Sequence, residues 1–158
     1  MESGGTGQTL LWSTEPLLEY AHSMGCPFCA IVQGNAPAFT VLEDHCSIAF
    51  LDDRPLFPGH CLLIPKQHIE TLADLSVSQV GPLFEKAQLL ARAMETGLGA
   101  EGSFVAMNNR VSQSVPHLHI HVVPRRKKDG LKGFFWPRTK YESEDAMRAI
   151  QEKLRAVL

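Results

Sequence analysis

Between Pro116 and Pro124 the chain reads His117-Leu118-His119-Ile120-His121-Val122-Val123, with imidazole and apolar side chains in strict alternation. Successive side chains on a strand point to opposite faces, so this spacing predicts a strand over 116–123. His117, His119 and His121 would then line one face, about 6.6–6.8 Å apart, while Leu118, Ile120 and Val122 fill the other. One histidine beside a core is ordinarily a satisfied core residue. Three in alternation are not explained that way, because clustered imidazoles are costly to desolvate and repel one another when protonated. Two chemistries fit them. One is a metal site with several histidine ligands; the other is an imidazole nucleophile whose neighbours handle protons.

The flanking chain predicts an α+β domain. Phe39–Leu42 and Ser47–Leu51 read as a hairpin across the polar Glu43-Asp44-His45. His60–Ile64 reads as a third strand halted by Pro65, after a loop that ends Phe57-Pro58-Gly59. Ser76 and Ser78 offer cap hydroxyls to one long helix, with Val80, Leu83, Phe84, Ala87, Leu90, Ala91 and Met94 at helical spacing and Gly97 and Gly99 at its end. Ser103–Met107 reads as a fourth strand and 116–123 as the fifth. A last amphipathic helix begins near Ser143, with Met147, Ile150, Leu154 and Val157 on one stripe. Residues 1–24 read as an appendage, in which Leu17–His22 could make one or two helical turns, and 25–158 as the domain proper.

Composition excludes several classes. At 158 residues the chain is about one domain long and can bury an adequate core without staples. Its 44% apolar and 20% charged content is that of a soluble globular protein. A net charge of -2 gives no global attraction to nucleic acid or anionic lipid, so phosphate binding must be local and stable nucleic-acid binding is not expected. No apolar run approaches the roughly 20 residues that span a bilayer, and the first residues lack a secretory signal pattern, so the expected location is cytoplasmic. Four cysteines are too few for a disulfide scaffold. Cys46 and Cys61 read as small buried thiols, and the close pair Cys26-Pro-Phe-Cys29 reads as metal or redox chemistry.

The histidine run resembles that of the histidine triad (HIT) family. Further matches occur in family order: Cys26-x-x-Cys29, Phe50-Leu51-Asp52, Pro58-Gly59-His60, Ile64-Pro65-Lys66-x-His68, Asn108-Asn109, Gln113-Ser114 and Pro124-Arg125. The resemblance covers residues 26–125, leaving 126–158 as a C-terminal specificity region. It implies the HIT-like α+β fold, a five-stranded antiparallel sheet with one long central helix and a C-terminal helix, pairing into a homodimer with a continuous sheet.

The resemblance also implies a function: hydrolysis or transfer at the α-phosphate of dinucleoside polyphosphates or nucleoside phosphoramidates, through a covalent nucleotidyl-histidine. The nucleophile would be His119. His121 would hydrogen-bond phosphate or leaving group, His60 would support the triad, and Ser114 would contact the phosphates and leaving group. Asn108 and Gln113 would join the phosphate site, Asp52 would take the ribose hydroxyls, and Phe28, Ile31 and Phe50 would wall the purine base. Ser112 stands where the family often has glycine, and the loop before Gln113 is shorter than in common bacterial members. Cys26, Cys29, His68 and His117 match a zinc set; two thiolates and two imidazoles leave no open position, which makes the zinc structural. The basic run Arg125–Lys128, continued by Lys132 and Gly133–Arg138 with Trp136, reads either as a solvated loop or as a face for polyphosphate. Two other readings stand beside this one: a non-catalytic nucleotide-binding or adaptor protein, and a zinc metallohydrolase with His117, His119 and His121 as ligands.

Overall fold

The computed structural model describes residues 25–131 and 139–158. The expected turns over 17–22 and the segment 132–138 with Trp136 lie outside the described residues. The chain divides into two compact units, one through Lys127 and one from Lys128.

The first unit runs α1 (Pro27–Val32), β1 (Thr40–Glu43), β2 (Ser47–Leu51), β3 (Cys61–Pro65), a 3-10 turn (Leu72–Asp74), α2 (Val77–Leu98), β4 (Gly102–Ala106) and β5 (Ile120–Arg125). The strands form one antiparallel sheet in the order β1-β2-β3-β5-β4. This is the α+β architecture expected of the sequence.

Register sorts the sheet into two faces. Phe50 lies opposite Leu62, Leu62 opposite His121, and His121 opposite Ala106, so these four share a face. Ile48, Phe50, Leu62 and Ile64 pack there against Cys26, Phe28 and Cys29 of α1 and its cap. The other face presents Ala49, Leu63, Ile120 and Val122 to α2, which buries Leu83, Ala87, Leu90 and Met94. Each buried leucine or methionine of that stripe contributes about 1.5–3 kcal/mol. Phe84, expected on the stripe, is 40% exposed. It stands one position off the buried row of Leu83, Ala87 and Leu90, and a 3.6-residue turn rotates it toward solvent. Gly99 closes α2 in the left-handed conformation, φ 62°, and Gly97 lies inside the helix.

β5 begins at Ile120 rather than Pro116, so His117 and His119 precede it. The reason is Pro65. With Leu63 opposite Ile120, continuing the register would pair Pro65 with Leu118, and proline has no N–H to donate. The Leu118 amide donates instead to the Ile69 carbonyl at 2.6 Å. Similarly β3 starts at Cys61, and His60 belongs to the preceding turn, its N–H donating to Phe57 O at 3.0 Å.

The second unit carries α3 (Glu144–Arg155), capped by the Ser143 hydroxyl, which accepts from the Ala146 N–H at 3.1 Å. Among the described residues no helix is long and apolar enough to cross a membrane.

Gly59 sets the turn that delivers His60. Its φ is +99°, and a Cβ built on it would collide with the Leu98 side chain. Gly59→Ala should therefore lower the unfolding free energy by about 1–3 kcal/mol, from backbone strain and overpacking together. Urea denaturation checks this; a change under about 0.5 kcal/mol would show that the turn relaxes freely.

Candidate functional site: the histidine face and the Cys2His2 cluster

The triad histidines and the cysteine pair gather on the α1 side of the sheet. The rings of His119 and His121 lie 5.0 Å apart by centroid. Phe28 sits edge-on to His119 at 5.3 Å, to His117 at 5.9 Å and to Phe50 at 5.6 Å. Phe28 and Phe50 are both buried, so they are core residues as well as a wall beside His119, and Ile31 packs partly buried against the same cluster.

The hydrogen-bond partners decide the tautomers. His119 Nδ1 lies 2.6 Å from the His117 carbonyl, which can only accept, so Nδ1 carries the proton and Nε2 the lone pair. His60 Nδ1 has two neighbours, the Leu56 N–H at 3.2 Å and Asp52 Oδ2 at 3.5 Å. Burial pushes the His60 pKa down, against the pull of Asp52, so the ring is neutral and Nδ1 accepts from the nearer amide. His60 Nε2 then donates to His121 Nδ1 at 2.9 Å, which leaves the His121 proton on Nε2. Burial first, then the neighbouring His119 and His60, brings His121 down to about 4. Among the described residues the face therefore offers the lone pair of the His119 Nδ1–H tautomer, at Nε2, and an N–H donor at His121 Nε2.

The second cluster lies beside it. Cys26 caps α1 and Cys29 sits in its first turn. Cys26 Sγ is 3.5 Å and Cys29 Sγ 3.7 Å from His117 Nδ1, and Cys29 Sγ is 3.2 Å from His68 Nδ1. All four ligand atoms lie within 4.8 Å of one another. Tetrahedral zinc, with bonds of about 2.3 Å to sulfur and 2.0–2.1 Å to nitrogen, places such pairs about 3.6 Å apart, so the donor set fits the ion. His117 Nε2 donates to the Pro65 carbonyl at 2.8 Å, which turns the Nδ1 lone pair toward the thiols. Burial brings His117 down to about 4, against the pull of Pro65, and keeps it neutral. Burial and the adjacent Cys26 push Cys29 up to about 12; a cation between the thiols is what would ionise them. Both nitrogens of His117 are thus engaged away from His119 and His121, so the three imidazoles do not converge on a single metal position.

The remaining expected residues fall in loops. Asp52 is half-buried; its Oδ1 accepts the Arg54 N–H at 2.9 Å. Asn108 Nδ2 donates to Ser112 O at 3.1 Å. Gln113 is held at both ends, donating to Glu70 O at 2.7 Å and accepting from the Arg110 N–H at 2.6 Å. Ser114 is exposed. Ser112 has φ +58°, a left-handed position that explains why glycine suits it. In the basic run, Arg126 donates to Gly99 O at 2.7 Å at the end of α2, and Lys127 pairs with Glu101 at 3.6 Å. Sequence reasoning missed the Pro65 carbonyl and the Leu56 amide, which fix the histidine tautomers. Pro65 itself is the available signal, since a proline at a strand end frees its neighbours from the ladder.

A HIT domain model matches residues 33–128. The chain belongs to the HIT family. It is 34% identical over 136 residues to adenosine 5′-monophosphoramidase hnt1 of Schizosaccharomyces pombe, covering 83% of this chain and 96% of that one. It is 35% identical over 108 residues to adenylylsulfatase HINT3 of Arabidopsis thaliana, covering 67% of this chain but only 55% of the plant protein. Among solved structures it is similar to a Zn-bound histidine triad family protein from Mycobacterium smegmatis, with a TM-score of 0.66 at 39% identity, covering 86% of this chain and 99% of that one.

The depressed His121 value makes stability depend on pH. A histidine neutral in the fold but titrating near 6.5 when unfolded binds protons first in the unfolded chain, so stability falls as pH drops from about 6.5 to about 4. His121 should account for on the order of 1–2 kcal/mol of that loss, discounted for its partial exposure. Urea titrations at pH 7, 5.5 and 4 should show a shallower slope for His121→Asn than for wild type; equal slopes would place the titration elsewhere.

Proposed function

We propose that this HIT protein is a nucleotide hydrolase that forms a covalent nucleotidyl-His119 intermediate at the α-phosphorus. The observation that carries the reading is the 2.6 Å bond from His119 Nδ1 to the His117 carbonyl, which places the proton on Nδ1 and the lone pair of this buried ring on Nε2. In the first half-reaction Nε2 forms a bond to phosphorus as the bond to the leaving group breaks. An amine leaving group takes up one proton, delivered from solvent, while His121 Nε2–H hydrogen-bonds it, and departs neutral. The His60 Nε2–H bond to His121 Nδ1 holds His121 in that donor tautomer. In the second half, water attacks phosphorus, the P–N bond breaks, and the nucleoside monophosphate leaves with His119 restored. The phosphoramidase and sulfatase names of the two relatives support substitution at an adenylyl phosphorus.

Purine binding is assigned to Phe28, Ile31 and Phe50, and ribose to the Asp52 carboxylate, whose Oδ2 can still accept. Ser114 would meet phosphate directly, while Asn108 and Gln113 would do so by exchanging their present loop bonds. Zinc held by Cys26, Cys29, His68 and His117 would supply structural cross-linking of α1 to the triad segment. The edge strand β4, with Val105 43% exposed, is the surface through which a homodimer would extend the sheet.

With adenosine 5′-phosphoramidate as substrate, His119→Gly should lower kcat by about a thousandfold or more and abolish the AMP adduct seen by mass spectrometry in quenched wild-type reactions. A variant keeping more than a few per cent of the wild-type rate sinks the covalent route. A non-catalytic adaptor would show no turnover in the wild type either.

For the metal, elemental analysis of untagged protein should find about one zinc per chain. Cys29→Ser should remove most of it and lower Tm by several degrees, on the order of 1–3 kcal/mol of stability. Fully folded, metal-free protein from zinc-replete growth would count against the site.

A further inference from the structure

We infer that Arg110 binds an anionic leaving group and sets the preference of the triad for substrates that release sulfate or phosphate. This rests on the hydrolase reading above. The β4–β5 connection starts beside the triad, since Ala106 at the end of β4 lies opposite His121, and it returns through Ser114 to His117. Between these points the loop is tied down by bonds from Leu72 N–H to Asn109 Oδ1 at 2.7 Å, Arg110 N–H to Gln113 Oε1 at 2.6 Å and Gln113 Nε2 to Glu70 O at 2.7 Å.

Arg110 sits within this frame at φ +64°, a left-handed conformation that costs a non-glycine residue stability. Its backbone N–H is bonded to Gln113. Its guanidinium, by contrast, makes no hydrogen bond or ion pair among the described residues. Arg110 is exposed and borders an open recess of about 440 Å³ with Thr71, Leu72, Ala73 and Asn109. Among the described residues no acid pairs with it: Glu70 offers its backbone carbonyl to Gln113, and the Asp74 carboxylate takes the Thr71 hydroxyl at 2.6 Å. A cation unpaired among the described residues, on a loop pinned beside a recess, is available to an anion.

The chemistry gives that contact a use His121 does not serve. An amine leaving group must receive a proton as the P–N bond breaks. A sulfate or phosphate leaves with the bonding electron pair as added negative charge and needs a cation instead. Only anionic leaving groups should therefore depend on Arg110.

The test compares kcat/KM for adenosine 5′-phosphosulfate and adenosine 5′-phosphoramidate. In Arg110→Ala the sulfate-to-phosphoramidate ratio should fall about tenfold to a hundredfold. Arg110→Gly, which suits the left-handed backbone, should fall as far, and Arg110→Lys should recover a large part of the ratio. Parallel losses on both substrates, or a ratio kept by Arg110→Gly, would reduce Arg110 to a loop-shaping residue and overturn the inference. ADP-forming cleavage of a dinucleoside polyphosphate by the same variants separates phosphate from sulfate, and an unchanged rate there limits the contact to sulfate. A wild type inert on both substrates overturns the hydrolase reading and this one with it.

Discussion

His117 is fully buried, and each of its polar groups has a partner of a different kind. Its Nδ1 faces two thiols, its Nε2–H is held by the Pro65 carbonyl, and its own carbonyl holds the His119 ring. A buried imidazole with any of these missing would leave an unsatisfied polar group, at a cost of about 1–3 kcal/mol. The cysteine cluster, the end of β3 and the nucleophile are therefore set by one residue. Rotating that ring would disturb all three.

Division of labour between the sheet faces makes this arrangement affordable in stability terms. α2 covers one face with an apolar stripe and asks nothing polar of it, so that face can supply most of the core. The α1 face can then hold imidazoles. α1 is only six residues long, too short to be stable alone, and is held by Phe28 in the core and by the cysteine cluster. The same two features place the Phe28 ring 5.3 Å from His119, so the tether of the N-terminal helix is also a wall of the site.

Much of the fold is legible in the sequence because it rests on period. Val80 to Met94 repeats at helical spacing and is a helix; Ser47 to Leu51 is an apolar run and is a buried strand. The misplacements are equally physical. Phe84 passes a spacing test yet lies just outside the buried arc, since periodicity alone does not fix where the buried sector ends. The fifth strand starts late because a proline on the neighbouring strand has no N–H, a fact about pairing that local alternation in 116–123 does not contain.

The sequence by itself determined the family, the two-faced character of the histidine segment and the residue types of both clusters, since these depend only on the order and spacing of side chains. Tertiary structure alone decided what each imidazole does. Three histidines in alternation look equivalent along the chain. They become a buried ring turned to the thiols, a nucleophile with a free Nε2 and a proton donor only when Pro65, the His117 carbonyl and the His60–Leu56 pair are brought up to them. A ring tautomer is chosen by whichever partner meets each nitrogen, and those partners lie as far as 91 positions away in sequence, as Cys26 does from His117, joined only by the fold.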